Sequence, residues 1–275
     1  MITVEGLSFG YTKTPFLKHI SFTVPQGEIL GFLGPSGAGK STLQKILIGM
    51  LPRYEGRVTV LGQEARAANS AFYEQIGIAF EFPTLYEKLT GRQNLAFFAS
   101  LYRRPARDIG ALLEAVGLAP SADQRAGEYS KGMKGRLNFI KSLLHDPSLL
   151  FLDEPTSGLD PTNAHVIKQM ILAEKAKGKT IILTTHNMQD AAELCDRVAF
   201  LVDGELRALD TPRNFTLRNG GRTVSYTYRE GEAEQTGESD LLHTGADALL
   251  ARLVAENRLT TIHSHEQTLG DVFMD

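Results

Sequence analysis

The sequence has few of the features that mark secreted or membrane-spanning chains. Its 275 residues include one cysteine, Cys195, which excludes an internal disulfide and fits a reducing compartment. The N-terminal stretch MITVEGLSFGY has no basic segment followed by an apolar one, so we expect no secretory signal. No run approaches the roughly 18 apolar residues that would span a bilayer. Any membrane role is therefore expected to come through a partner chain.

An excess of basic residues is also lacking. The formal net charge is -3, whereas binding to a polyanion requires a basic surface, so we expect no nucleic-acid partner. The hydrophobic fraction of 42% and charged fraction of 22% are ordinary for a globular core. The length suits one large domain and one small one.

Short apolar runs alternate with helical patterns along most of the chain. The helices are predicted just after the glycine-rich stretch GPSGAGKST, over much of residues 92–145, and over residues 161–178. Strands are predicted at ITVEGLSFGY, FLKHISFTV, EILGFLG, GRVTVLGQ, SLLFLDEP, TIILTTH and RVAFLVDGELRAL, the last as a hairpin around Asp203-Gly204. This alternation predicts an α/β fold.

The composition changes past about residue 215. The polar, acidic stretch EGEAEQTGESD predicts a loop or linker. Around it lie a strand-like run, TVSYTY, a helical run over residues 246–256, and a second strand, LTTIHS. We expect residues 216–275 to form a small α+β accessory domain.

The stretch GPSGAGKS, residues 34–41, fits the phosphate-loop pattern G-x-x-x-x-G-K-[ST] without a mismatch. A buried strand precedes it and an amphipathic helix follows. Glycines allow backbone N–H groups to turn towards phosphate oxygens, Lys40 supplies a charge for the β- and γ-phosphates, and the Ser41 hydroxyl supplies a ligand for Mg²⁺. A glycine-rich turn that happens to precede a lysine is the structural alternative.

Two carboxylates end the predicted strand LLFLDEP. Asp153 is the natural second anchor for Mg²⁺, because the carboxyl ends of parallel strands face the ligand crevice. Glu154 follows and is a candidate general base for an attacking water. The alternative is a strand-end turn before Pro155.

The motifs GPSGAGKST, YSKGM, LLFLDEP and SGLD, followed by His186, resemble in type and order those of nucleotide-binding domains of ATP-binding cassette (ABC) transporters. The resemblance covers about residues 1–215. It implies a P-loop NTPase core with an antiparallel β subdomain and a helical subdomain at about 84–145. A GTPase would need an N-K-x-D motif, which this sequence lacks.

The resemblance implies a role for individual residues. Glu154, His186 and Lys40 would be catalytic, and Ser41, Asp153 and Glu81 would bind Mg²⁺. Tyr11 resembles the aromatic residue that stacks on adenine, although strands favour tyrosine in any case. Asp160 resembles the residue that crosses the dimer interface, and it also suits a helix N-cap. ATP would be bound by Tyr11, Gly34, Pro35, Ser36, Gly37, Ala38, Gly39, Lys40, Ser41, Thr42, Ser130, Gly132 and Asp160.

Two departures from the family pattern stand out. The stretch YSKGM resembles the signature motif, usually L-S-G-G-Q; Ser130 and Gly132 match, whereas Tyr129, Lys131 and Met133 differ. In the family this helix start caps the γ-phosphate of ATP held by the other subunit. Glu81 stands where the family usually has glutamine. A glutamate can still ligate Mg²⁺ but adds negative charge near the γ-phosphate.

The resemblance implies an ATPase subunit of an ABC transporter that drives transport through separate permease subunits by ATP-dependent dimerisation, as a homodimer or a paralogous heterodimer. It would lie peripherally on the cytoplasmic face of the membrane, and the segment at about 82–97 would dock the permease. The apolar stretch NLAFFASL equally suits plain core, and its spacing does not separate the two interpretations. The ending EQTLGDVFMD is similar to the tail of the drug- and antibiotic-exporting branch. A soluble ABC-type ATPase and a binding-only regulatory cassette remain as alternatives.

Overall fold

A computed structural model describes residues 1–219, 223–230, 233–240, 243–265 and 269–274. The chain divides into two compact units, residues 1–210 and 211–275. The division falls five residues before the boundary expected from the sequence, because the first helix of the second unit already begins at Pro212.

The strands are β1 (Ile2–Phe9), β2 (Leu17–Val24), β3 (Ile29–Leu33), β4 (Glu55–Val60), β5 (Gln63–Glu64), β6 (Ile76–Ala79), β7 (Leu149–Asp153), β8 (Thr180–Thr184), β9 (Arg197–Val202), β10 (Glu205–Asp210), β11 (Thr223–Glu230), β12 (Ala233–Asp240) and β13 (Leu259–His265). The helices are α1 (Lys40–Leu47), α2 (Ser70–Tyr73), α3 (Gly91–Ala99), α4 (Ile109–Ala115), α5 (Lys131–Lys141), α6 (Pro161–Ala176), α7 (Met188–Leu194), α8 (Pro212–Asn219), α9 (Ala248–Ala255) and α10 (Leu269–Met274). None of the helices among the described residues is long and apolar enough to cross a membrane.

The first unit contains two sheets. The larger has the order β10-β9-β3-β8-β7-β6, and all its pairings are parallel except that of the β9–β10 hairpin. The smaller is antiparallel, with the order β2-β1-β4-β5. Every residue of β3, β7 and β8 is buried, as their unbroken apolar runs predict. Side chains from both sheets share one hydrophobic core that includes Phe22, Phe32 and Phe151.

The mixed α/β architecture with a parallel core sheet confirms the predicted fold class. The segment from 84 to 145 carries α3, α4 and α5, separated by irregular stretches and short 3-10 turns. In α5 the apolar side chains of Leu137 and Ile140 are buried, whereas Met133 in the first turn is partly exposed. Strand β6 is absent from the sequence prediction, because its four residues, IGIA, are too short to give a periodic signal.

The second unit is built on the antiparallel sheet β12-β11-β13. Tyr226 of this sheet and Leu250 and Leu253 of α9 form its buried cluster. The prediction of a loop over residues 230–240 is wrong, because Ala233–Asp240 is strand β12. This strand lies at the edge of its sheet and only Ser239 is buried along it, so its sequence lacks the alternation that marks a half-buried strand. The proposed family tail, residues 266–275, lies partly outside the described residues.

Candidate active site

The phosphate loop connects β3 to α1 and depends on glycine at two tight positions. Gly34 has φ 151° and Gly39 has φ 109°, both in the region that favours glycine. A Cβ on Gly34 would lie 2.0 Å from the carbonyl oxygen of Leu201, and a Cβ on Gly39 would lie 2.5 Å from Cδ2 of Leu17. The loop is therefore packed closely against β9 and β2, and larger residues would displace it.

Lys40 folds back over the loop that precedes it. Its Nζ donates hydrogen bonds to the carbonyl oxygens of Gly34, at 2.7 Å, and Pro35, at 3.1 Å. Burial lowers the pKa of Lys40, and the nearby charges of Glu154, Asp153 and Glu81 oppose that shift. These carbonyl contacts hold the ammonium beside the glycine loop, where it can transfer to phosphate oxygens.

Asp153 is the last residue of β7 and is buried. The Thr184 hydroxyl of β8 donates to its Oδ1, and no hydrogen bond to Oδ2 occurs within the described part of the chain. Two neighbouring parallel strands thus fix one carboxylate oxygen and leave the other for a ligand. The Thr184 contact was not foreseen from the sequence, although the paired strand ends LLFLD and TIILT provide a signal for it.

Glu154 follows in a left-handed conformation, with φ 50°. Its backbone N–H donates to the carbonyl oxygen of Thr184 at 2.9 Å, so the turn after β7 is tied to β8. Its carboxylate accepts hydrogen bonds from Thr185 Oγ1 at 3.2 Å and lies 2.7 Å from His186 Nδ1. The glutamate side chain is 11% exposed and the histidine side chain 69%, so His186 covers Glu154 from the solvent side.

These groups surround one cavity of about 330 Å³ at the carboxyl ends of the core strands. It is lined by Phe16, Ser36, Gly37, Gly39, Lys40, Ser41, Thr42, Glu81, Asp153, Glu154 and His186. The cavity therefore brings together all three predicted catalytic residues, all three predicted metal ligands and most of the phosphate loop. A cationic side chain, a hydroxyl and two strand-end carboxylates facing one space suit a phosphorylated ligand.

Tyr11 lies near this cavity, and 61% of its surface is exposed. Its hydroxyl is 3.0 Å from Thr42 Oγ1, and its ring packs edge-on against Phe9 at 4.9 Å between centroids. Phe16, which lines the cavity directly, was not predicted from the sequence. The only sequence signal for Phe16 is its position just before β2, on the loop between β1 and β2 that also carries Tyr11.

Ser130, Gly132 and Asp160 do not line this cavity. Ser130 is the N-cap of α5, and its hydroxyl accepts a hydrogen bond from the Met133 N–H at 3.2 Å. Asp160 is the N-cap of α6 and accepts from the Asn163 N–H at 3.0 Å. Hydrogen bonds from Asn163 lower the pKa of Asp160. Both residues therefore cap a helix, which the sequence context had also predicted for Asp160.

Glu81 lies two residues beyond β6, and it is exposed. Its segment is fastened to α5 because Asn138 Nδ2 donates to the Phe80 carbonyl oxygen at 2.8 Å. Besides the nucleotide-side cavity, Glu81 lines a second cavity of about 390 Å³ between its own segment, the start of α5 and the turn after β7. The glutamate therefore stands between the phosphate loop and the helical segment.

The oxygen atoms that line the cavity suit Mg²⁺ bound together with a nucleotide. Among the described residues, no three His, Cys, Asp or Glu side chains are grouped as a metal cluster. Mg²⁺ bound with a nucleotide does not need one, because one or two carboxylates together with phosphate and water oxygens complete its shell. The Ser41 hydroxyl and Asp153, which has one carboxylate oxygen without a hydrogen bond in the described chain, fit that requirement.

Comparisons with known proteins agree with this geometry. The family model described as "ABC transporter" matches residues 17–157. The chain is 50% identical to the fluoroquinolones export ATP-binding protein of Mycobacterium tuberculosis, an alignment that covers 100% of this chain and 92% of that protein. It is 41% identical to Nod factor export ATP-binding protein I of a Rhizobium species, over 77% of this chain and 71% of that protein.

Solved structures show the same fold. A structure described as the ATP-binding subunit of an ABC transporter superposes with a TM-score of 0.71 at 31% identity, covering 79% of this chain and 92% of that one. The fold and the phosphate-loop site thus define a P-loop ATPase of the cassette type. The chain belongs to the ABC transporter family, in which it is an ATP-binding and ATP-hydrolysing subunit.

Proposed function

We propose that this chain is the motor subunit of an ABC exporter and that two copies, or this chain and a paralogue, close around ATP to drive separate permease subunits. The observation that carries the proposal is the single cavity that gathers Lys40, Ser41, Asp153, Glu154 and His186. Export is favoured because both reported relatives are named as export ATP-binding proteins.

In this proposal the phosphate loop, residues 34–42, binds the triphosphate through its backbone N–H groups and Lys40. The α1 N-terminus supports an anion there, since its first turn contains no acidic residue. Ser41, Asp153 and Glu81 would hold Mg²⁺, which supplies charge neutralisation at the phosphates when it is bound. Tyr11 and Phe16 would contact the adenosine end.

Glu154 accepts the proton of the attacking water. His186 lies beside that carboxylate and covers it from solvent. In the closed complex the histidine would turn towards the terminal phosphate, while Thr185 continues to hold the second carboxylate oxygen. The base is then free to accept a proton from a water next to the phosphate.

The signature residues Ser130 and Gly132 and the interface residue Asp160 would act on ATP bound by the second copy. Their absence from the chain's own nucleotide cavity supports this assignment, because two exposed helix starts remain for another molecule. Each start presents N–H groups and the positive end of a helix dipole to an anion.

The permease would dock on an aromatic surface of the helical segment. Tyr86, 50% exposed, packs edge-on against Phe97 at 4.9 Å between centroids, and Phe98 joins them. Lys141 Nζ lies 4.7 Å from the centroid of the Phe98 ring. An exposed aromatic group bordered by a cation suits a helix end of a membrane subunit. The chain would then lie peripherally on the cytoplasmic face of the membrane.

The test begins with Lys40→Ala, which removes the phosphate-binding cation. We expect it to abolish hydrolysis by the purified chain and to weaken nucleotide binding strongly; unchanged turnover would contradict the assignment.

The second experiment measures transport and uses the complex purified with its permease from membranes. In inside-out vesicles an exporter accumulates substrate when ATP is added, and the Lys40→Ala complex should not. Failure to recover any membrane protein with the chain would contradict the exporter proposal.

A further inference from the structure

Asp190 lies in the first turn of α7 and is buried, with 6% of its surface exposed. Its Oδ2 accepts a hydrogen bond from Thr156 Oγ1 at 2.6 Å, and its Oδ1 lies 3.3 Å from Lys168 Nζ of α6. An acidic residue suits the first turn of any helix, because it faces the positive end of the helix dipole. The two partners of this carboxylate add a second consequence, since they fix the start of α7 to two other segments of the chain.

Thr156 belongs to the turn that begins at Glu154. The Ser157 N–H donates to the Glu154 carbonyl oxygen at 3.0 Å and closes the turn around Thr156. Glu154 is left-handed, with φ 50°, and a strained residue keeps such a conformation only where its surroundings determine it. The hydrogen bond to Asp190 is charge-assisted and largely shielded from water, so it fastens this turn more firmly than a neutral bond would.

The start of α7 also fixes the segment that carries His186. Asn187 is the N-cap of α7, and its Oδ1 accepts a hydrogen bond from the Asp190 N–H at 3.1 Å. The Asn187 N–H donates in turn to Thr185 Oγ1 at 3.0 Å. The backbone is therefore tied down on both sides of His186, whose Nδ1 lies 2.7 Å from Oε1 of Glu154.

We propose that Asp190 is a positioning residue for ATP hydrolysis. Through Thr156 it holds the turn of Glu154, and through the start of α7 it holds the segment of His186, so that these two side chains meet. The inference rests on the catalytic roles that the proposed function gives to Glu154 and His186. Asp190 does not line the nucleotide cavity, so it acts through these residues and not on ATP.

Loosening this link should slow hydrolysis without weakening ATP binding. The proposed function assigns the phosphates to the loop between β3 and α1. In the described part of the chain, the carboxylate of Asp190 contacts Thr156 and Lys168 and neither of those two elements. A small displacement of a general base costs rate even when the substrate stays bound, because the reacting atoms are no longer aligned.

The test compares the full wild-type chain with T156V, T156A, T156S and E193Q. Valine keeps the shape of threonine and removes its hydroxyl, alanine removes the hydroxyl in a smaller side chain, and serine keeps the hydroxyl. Glu193 is the other partner of Lys168, and its side chain is 38% exposed, so E193Q changes a neighbouring ion pair and leaves the Thr156–Asp190 bond in place. For each protein we would measure kcat, KM for ATP and the free energy of unfolding in urea.

We expect T156V and T156A to lower kcat by about tenfold and to leave KM within about twofold of wild type, as a misplaced base does. T156S should restore kcat, and E193Q should not change it. A hydrogen bond with a structural task alone would lower the free energy of unfolding but leave the kcat of the folded chain unchanged.

The inference is wrong if folded T156V and T156A keep the wild-type kcat, or if their KM rises as much as kcat falls, since the change would then reach the phosphate loop. It is also wrong if neither variant folds, because the bond would then serve the fold and not the reaction. His186→Ala separates this inference from the proposed function. If that variant hydrolyses ATP as fast as wild type, the role proposed for His186 is itself wrong; if it is inactive while the Thr156 variants are fully active, only the positioning role of Asp190 fails.

Discussion

Glu154 has a left-handed backbone conformation, which is uncommon for a residue other than glycine. Its left-handed φ of 50° turns the chain sharply after β7, and its N–H is tied to the Thr184 carbonyl oxygen at 2.9 Å. A non-glycine residue held in this conformation carries a cost of about 1–3 kcal/mol that the surrounding structure must outweigh. The turn aims the carboxylate into the nucleotide cavity, which explains why the strain is accommodated here.

At this residue we predict the effect of Glu154→Gln. The amide keeps the shape of the side chain but is not a proton acceptor of useful strength, so hydrolysis should fall by about 100-fold or more. ATP binding should persist, since the phosphate contacts are unchanged. Sedimentation should show a dimer with ATP that ADP does not support, and a monomer in saturating ATP would contradict the prediction.

At position 81 we predict that Glu81→Gln retains or raises ATPase activity. The substitution removes one negative charge from the cavity proposed to hold the triphosphate, while it keeps an oxygen that can ligate a cation. Steady-state hydrolysis over a range of ATP concentrations is the measurement. A loss of more than about tenfold, equivalent to about 1.4 kcal/mol, would show that the carboxylate itself is required.

At the scale of elements, an ion-pair cluster joins the helical segment to α6. Glu174 of α6 is buried, and Arg107 Nη1, Lys177 Nζ and Lys179 Nζ each lie 2.8 Å from its carboxylate. Burial alone would raise the pKa of Glu174, but hydrogen bonds from Lys177, Lys179 and Arg107 together outweigh it and lower the pKa to about 2. Arg107 precedes α4, so this carboxylate fastens the helical segment to the core.

We predict that Glu174→Gln lowers the free energy of unfolding by about 3 kcal/mol at pH 7, because three cations lose a buried counter-charge. A carboxyl whose pKa is lowered on folding stabilises the fold above its unfolded-state pKa. The difference between wild type and variant should therefore shrink as the pH falls from about 4.5 towards 2. Urea unfolding at several pH values is the measurement.

Glu87→Gln is the matched control for this prediction, since it makes the same change in an ion pair whose glutamate side chain is 71% exposed. Exposed pairs contribute about 1 kcal/mol or less. If the two variants lose equal stability, the buried cluster does not carry the role assigned to it.

The elements also show where sequence-based prediction succeeds. Strands β3, β7 and β8 were predictable because burial on both faces demands an unbroken apolar run. Strand β12 was not, because an edge strand with little burial is free to be acidic and resembles a linker. The motif residues could be identified because each phosphate-binding feature is local in sequence. Phe16 and the Thr184 contact depend on distant segments meeting, which no local pattern encodes.

At the scale of the whole molecule, the proposed site needs two chains. We predict that mixing two inactive variants, Ser130→Arg and Lys40→Ala, restores trapping of ATP in one site per mixed dimer. The arginine removes the N-cap hydroxyl of α5 and adds bulk at an exposed helix start. If that helix start serves the other chain, both lesions fall in one site and leave the second site intact.

Trapping by the mixture is compared with trapping by each variant alone. It is a better measurement than turnover, because cooperation between sites would suppress hydrolysis even where binding recovers. If Ser130 served the phosphate loop of its own chain, every site in the mixture would carry a lesion. Mixed dimers that form without any return of trapping would contradict the composite site.

The β9–β10 hairpin has a consequence for how nucleotide enters. Its Leu201 carbonyl oxygen fills the space where Gly34 would carry a Cβ, and a Cβ on Gly204 at its turn would lie 1.7 Å from the carbonyl oxygen of Phe16. The Lys18 N–H also donates to the Gly204 carbonyl oxygen at 2.8 Å. One hairpin thus contacts both the phosphate loop at Gly34 and the segment at Phe16 and Lys18, which the proposed function assigns to the adenosine end of ATP, and these contacts leave little room for the two to separate. In the proposed function, ATP therefore binds to a site that is already formed, and little conformational entropy of the protein is lost on binding. The conformational change that drives transport is then expected in the parts of the chain that do not contact this hairpin.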